Sequence, residues 1–100
     1  KDLIISGGEN IYPKELEDLV YTLPSVKECA VVPVPDAKWG QVPALFVAFY
    51  DGESMTADEV LSFMTQSLAK YKVPKYVKIL PALPRNGTGK IVRSELRLED

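Results

Sequence analysis

The sequence predicts an α+β fold: a small mixed sheet with helices packed on it, preceded by a short two-stranded hairpin. Three observations predict it. Valine-rich runs over 26–36 and 41–50 read as strands. Apolar residues recur at helical spacing over 13–23 and again over 57–71. Two further short strand-like runs flank Gly7-Gly8. Strand and helix runs are thus mixed along the chain, which favours helices layered on a sheet.

Each element has a local reason. "DLIIS" (2–6) and "ENIY" (9–12) are joined by two glycines, which supply positive φ in a tight connection. Pro13 suits the first position of a helix, where its missing N–H is not needed. Leu16, Leu19, Val20 and Leu23 then form one apolar stripe, and Pro24 ends that helix. The strand "VKECAVVPVPD" (26–36) is closed by Pro35 and Asp36. "QVPALFVAFY" (41–50) is followed by an Asp51-Gly52 turn. Thr56 with Glu59 forms a capping box. Ala57, Val60, Leu61, Met64 and Leu68 continue one helix face to about Tyr71. "KYVKIL" (75–80) reads as a strand, "LPRNGTGK" as a loop that its two glycines leave loosely held, and "SELRLE" as a final short helix.

Composition narrows the function. One hundred residues suffice for one domain with one modest core. No apolar run approaches the ~20 residues that cross a bilayer, and no signal peptide is visible. The lone Cys29 leaves no internal disulfide and favours a reducing, cytoplasmic setting. The absence of histidine removes the commonest general base and metal ligand, and with it the usual Ser-His-Asp triad. Residues 1–69 hold four basic and eleven acidic side chains, whereas 70–100 hold eight basic and three acidic. The basic C-terminal third points to a polyanion such as a nucleotide or phosphate; nucleic acid is disfavoured by the acidic total. Lys1 is not an initiator methionine and strand residues follow at once, so the chain reads as part of a longer protein.

Lys90 is the side chain that best carries chemistry. Its setting is not a nucleoside-triphosphate P-loop, because Pro84 stands at the leading glycine position and Ile91 where a magnesium-binding hydroxyl is required. The acidic residues show no metal-ligand spacing. A lysine ammonium on a glycine-bearing loop nevertheless suits negative charge that develops on phosphate or carboxylate oxygens. Read from its residues alone, the domain has no complete active site.

Four blocks occur in one order at matching separations: "KDLIISGGENIYPKELE" (1–17), "VPDAKWGQVPALFV" (34–47), "LAKYKVPKYV" (68–77) and "LPRNGTGKIVRSEL" (83–96). Together they resemble the C-terminal domain of the acyl-adenylate-forming enzymes, a superfamily of acyl-CoA synthetases, nonribosomal-peptide adenylation domains and luciferases. The resemblance covers essentially the whole chain. Within the superfamily the blocks look most like the o-succinylbenzoate–CoA ligases of menaquinone synthesis, and medium- and long-chain fatty acyl-CoA ligases share much of the pattern.

The resemblance implies a mobile C-terminal domain over residues 1–100. Its partner would be a large N-terminal domain of its own chain that binds ATP, Mg and the carboxylic acid. Lys1 and Asp2 match the hinge, and Lys90 matches the lysine that enters the active site as acyl-AMP forms. Gly7 and Gly8 match the pair that lines the pantetheine tunnel when CoA attacks. Trp39 is expected against pantetheine or adenine, with Tyr71 and Lys75 at the CoA nucleotide. Val73 departs from relatives that are basic there, which puts the phosphate contacts in doubt. Glu15 and Glu17 are expected to complement the first helix's dipole. A carrier protein in place of CoA, or a binding module without catalysis, are the competing implications. The isolated domain is expected to be inactive.

Overall fold

The computed structural model describes residues 3–99, so Lys1 and Asp2, expected to be the hinge, lie outside the described residues. The elements run β1 (Ile4–Ser6), β2 (Glu9–Ile11), α1 (Pro13–Val20), β3 (Val26–Asp36), β4 (Gly40–Phe49), α2 (Ala57–Thr65) and β5 (Tyr76–Ile79). β1 and β2 form the expected hairpin, with Ile5 opposite Asn10, and both turn glycines have positive φ (56° and 85°). β3, β4 and β5 make a three-stranded mixed sheet, antiparallel between β3 and β4 and parallel between β4 and β5. A parallel neighbour requires a crossover, and α2 lies in it.

β4 is the centre of the molecule. Every residue from Val42 to Ala48 is buried, as a strand covered on both faces requires. Strand alternation divides these side chains into two cores. Leu45 and Val47, with Cys29 and Val31 of β3, pack under Leu16, Val20, Val60 and Met64 of the helices and under Ile4 and Ile11 of the hairpin. Ala44, Phe46 and Ala48, with Ala30 and Val32, pack instead against Leu83 and Leu96 of the C-terminal segment. Burial of Cys29 and the nearby Glu17 charge push its thiol up to about 12, so it stays protonated at neutral pH.

The outer edge of β3 offers no free amide to another strand between Cys29 and Pro35. The Tyr21 hydroxyl accepts from the Cys29 N–H (3.0 Å) and donates to the Cys29 carbonyl (3.4 Å). The Glu17 carboxylate accepts from the Val31 N–H (2.8 Å), and Arg93 donates to the Val31 carbonyl (3.0 Å). Alternation puts positions 33 and 35 on the same edge, and both are prolines with no N–H to leave unpaired. Edge pairing with another chain is thereby blocked.

Three expectations need correction. The second helix stops at Thr65 rather than near Tyr71. The Thr65 hydroxyl bonds back to the Leu61 carbonyl (2.8 Å), and Gln66 N–H bonds three residues back, to Phe63. Ala69 is extended, and a 3-10 turn follows at Lys70–Lys72. The final helix over "SELRLE" is only a 3-10 turn at Arg93–Glu95; extended chain then lets Leu96 and Leu98 both reach the second core. Glu17 does not act as a dipole complement: it is buried and clamps Val31 and Arg93. Glu15 does lie in the first turn, and it also binds Lys72 (3.0 Å).

Tyr21→Phe strips the edge cap from Cys29 without changing shape. We expect a loss of about 1–2 kcal/mol in denaturant unfolding, because a part-buried amide loses its partner. An unchanged midpoint contradicts the edge-cap reading.

Candidate functional site

The candidate residues fall into two places. Gly7, Trp39, Tyr71 and Lys75 line one cleft of about 730 Å³, together with Lys70 and Val73. Lys90 is elsewhere: no residue of the 83–92 segment lines that cleft.

The cleft is built where the hairpin docks on the β3–β4 turn. The Ile5 N–H donates to the Gln41 side chain (3.1 Å), and the Gly7 N–H to the Trp39 carbonyl (2.9 Å). Asp36 shapes that turn by accepting from the Lys38 and Trp39 amides (3.0 and 2.8 Å). Lys38 stands 4.8 Å from the centre of the Trp39 ring. A Cβ on Gly7 would lie 2.6 Å from Trp39 Cε3, so glycine is needed there for close approach as well as for its φ. Gly8 differs: a Cβ there meets nothing within 4 Å, and Gly8 does not line the cleft. Trp39 and Tyr71 remain 45% and 42% exposed, two aromatic faces open to a flat ligand. The 3-10 turn bearing Tyr71 is tied to α1 by the Lys72–Glu15 pair.

Lys75 is not free at this cleft. Its ammonium lies 2.9 Å from Asp36, whose side chain is 7% exposed. The hydrogen bond from Lys75, with those from Trp39 and Lys38, holds the Asp36 carboxyl below the usual range, and the same bond raises Lys75. Lys70, a position that reads in the sequence as an ordinary solvated charge, lines the cleft and has no ion-pair partner among the described residues.

The Lys90 loop is not loosely held. The Asn86 side-chain oxygen accepts from the Thr88 amide (3.0 Å), the Thr88 hydroxyl (2.7 Å) and the Lys90 amide (3.1 Å). The Asn86 N–H donates to the Lys90 carbonyl (2.9 Å), and the Gly89 N–H to the Asn86 carbonyl (3.0 Å). Arg85 and Ile91 form an antiparallel bridge, closing a small hairpin. The glycines permit this turn, with Gly89 at φ 85°, and do not loosen it. The Lys90 ammonium is exposed and makes no ion pair among the described residues. The Asn-Gly pair at 86–87 was the available sequence signal for such a turn.

The basic balance after residue 69 is largely structural. Arg85 pairs with Glu28, Arg93 with Glu17, Lys72 with Glu15 and Lys75 with Asp36. Lys78 and Arg97 donate to backbone carbonyls. Among the described residues, Lys70 and Lys90 remain for an outside anion.

The AMP-binding enzyme C-terminal domain family matches residues 15–90. A 2-succinylbenzoate–CoA ligase of Lactococcus lactis is 57% identical over 97% of this chain, and a feruloyl-CoA synthase of an Amycolatopsis species is 50% identical over the same share. The solved o-succinylbenzoate CoA synthetase of Bacillus subtilis, in complex with the acyl-adenylate intermediate OSB-AMP, is 41% identical. It superposes with a TM-score of 0.85 over 99% of this chain and 20% of its own. The chain spans about a fifth of the length of the curated relatives it matches (21% and 20%).

Gly7→Ala is expected to cost about 1–3 kcal/mol through the Trp39 clash, and to move the emission of this only tryptophan. Gly8→Ala should leave that emission unchanged. The Asp36 carboxyl is depressed on folding, so its contribution is full above the ordinary aspartate pKa of about 3.9 and is lost as pH falls through the lower folded value. The Trp39 amide resonance should therefore titrate with a midpoint below that value; a midpoint at or above it contradicts the Asp36 anchor.

Proposed function

Since the chain belongs to the AMP-binding enzyme C-terminal domain family, we propose that it serves as the mobile C-terminal domain of an ATP-dependent acid–CoA ligase. The observation that carries this reading is the closed hairpin that presents the Lys90 ammonium, without an ion pair among the described residues, to the outside. Such a charge is available to a site on another body, and a large N-terminal domain supplies one. There Lys90 contacts the carboxylate and phosphate oxygens as acyl-AMP and pyrophosphate form, stabilising charge that develops in the transition state. The N-terminal domain binds ATP, Mg and the acid.

In the second half-reaction the cleft faces the adenylate. Gly7 leaves room for the pantetheine arm, Trp39 and Tyr71 offer apolar faces, and Lys70 meets a CoA phosphate in place of the engaged Lys75. Lys1 and Asp2 serve as the hinge between the two arrangements. Cytoplasmic CoA is the acceptor, and a carrier-borne phosphopantetheine is the alternative that fits the same cleft.

o-Succinylbenzoate is the acid we favour, on the strength of the relatives named for it. The feruloyl-CoA synthase, nearly as similar, marks this region as one that different acyl substrates share. The acid is therefore selected by the N-terminal domain.

In the ligase carrying this domain, Lys90→Ala is expected to slow adenylate formation by roughly 10²–10³, the scale of losing one preorganised charge partner. Transfer from preformed acyl-AMP to CoA should be nearly unaffected. Equal loss in both steps, measured by single turnover, contradicts the assignment.

A further inference from the structure

We propose that Glu28 and Arg85 are a positioning pair for Lys90, a relay that fixes the lysine loop to the central sheet. The proposal rests on the role given to Lys90 above. Glu28 lies beside the bulge in β3 and shares the face of Ala30 and Val32, where the C-terminal segment packs. It is 4% exposed, an unusual place for a carboxylate unless every oxygen is engaged. One oxygen accepts from the Leu83 amide (2.9 Å), at the point where the chain enters the loop. The other accepts from Nε and Nη2 of Arg85 (3.0 and 2.6 Å).

The guanidinium does not end there. Its remaining nitrogen, Nη1, donates to the carbonyl of Gly89, the residue before Lys90. A continuous line therefore runs from a buried carboxylate of the sheet, through a planar guanidinium, to the peptide bond that carries Lys90. Lysine in place of Arg85 has no such fork and cannot hold two partners at fixed angles. Among the described residues the other hydrogen bonds at the hairpin's tip are local ones to Asn86, which set its shape, while Leu83 and Ile91 anchor its base in the second core. Glu28 and Arg85 add the polar tie between the sheet and the tip itself.

Burial pushes the Glu28 carboxyl up, but the Leu83 amide and the Arg85 guanidinium outweigh it, so the group stays ionised below the ordinary carboxylate range. The relay is thus intact throughout the neutral range. Glu28 touches no reacting atom; its effect on chemistry passes entirely through Lys90.

The test uses the ligase carrying this domain. Glu28→Gln removes the charge at nearly constant volume, and Arg85→Gln breaks the same relay from its exposed side, so a folding defect at the buried site does not decide the matter. Amide hydrogen exchange is read first. The Gly89 and Lys90 amides are expected to exchange roughly tenfold faster or more in both variants, while the Leu45 and Val47 amides keep their protection. Unchanged loop exchange overturns the relay, whatever Lys90 does.

Single-turnover kinetics come second. Each variant should slow adenylate formation by about ten- to a hundredfold, the scale of a misplaced catalytic group, with transfer from preformed acyl-AMP spared. In a Lys90→Ala background the same substitutions should add no further slowing. Equal slowing with and without Lys90 makes Glu28 and Arg85 merely structural. A harmless Lys90→Ala instead overturns the function assigned to Lys90, and the exchange result then stands separately.

Discussion

The burial of β4 on both faces is the constraint from which the rest of the domain follows. A continuous apolar run from Val42 to Ala48 has no polar face to turn to water, so both sides of a three-stranded sheet must be covered. The two helices and the hairpin cover one side. Little chain remains for the other, and the segment after β5 covers it in extended form, with Leu83, Leu96 and Leu98 as its apolar contacts. The lysine loop lies within that covering segment. Its placement is a consequence of how the second core is closed.

Two buried carboxylates then do similar work at two points. Glu28 holds Arg85 and the Leu83 amide; Glu17 holds Arg93 and the Val31 amide. Each sits on or beside β3, and each takes an arginine from the C-terminal segment. A buried carboxylate whose arginine is removed is strongly unfavourable, which fixes the segment's register even though it has little regular structure. The charge division along the chain follows from this arrangement: acidic residues early, basic partners late, meeting across the fold. What the net balance suggested about polyanions applies to Lys70 and Lys90, and the other cations of that region answer to the protein itself.

Much of this was legible in the sequence where local chemistry dictates the outcome. Valine runs gave β3 and β4 nearly to the residue, Gly7-Gly8 gave the hairpin, and Thr56 with Glu59 gave the start of α2. The features that escaped are those set by distant partners. Nothing near Glu17 signals that its carboxylate meets Arg93, 76 residues away. Helical spacing over "SELRLE" was misleading because the second core draws Leu96 and Leu98 to one side as extended chain. Glycines at 87 and 89 suggested looseness because Asn86 and Arg85 act through side-chain bonds that composition does not reveal. The cleft residues were found by resemblance, but the Asp36–Lys75 pair and the open Lys70 needed the fold.

In the function proposed above, the domain is one rigid body with two working surfaces, used in turn. Hydrogen exchange on the ligase carrying it, read by mass spectrometry in two liganded states, addresses that directly. With a non-reactive acyl-adenylate analogue alone, protection should appear over 85–91 and be absent from 6–9 and 70–75. Adding CoA should reverse the pattern, protecting the cleft and releasing the lysine hairpin. Simultaneous protection of both surfaces in either state contradicts the alternation on which the function rests.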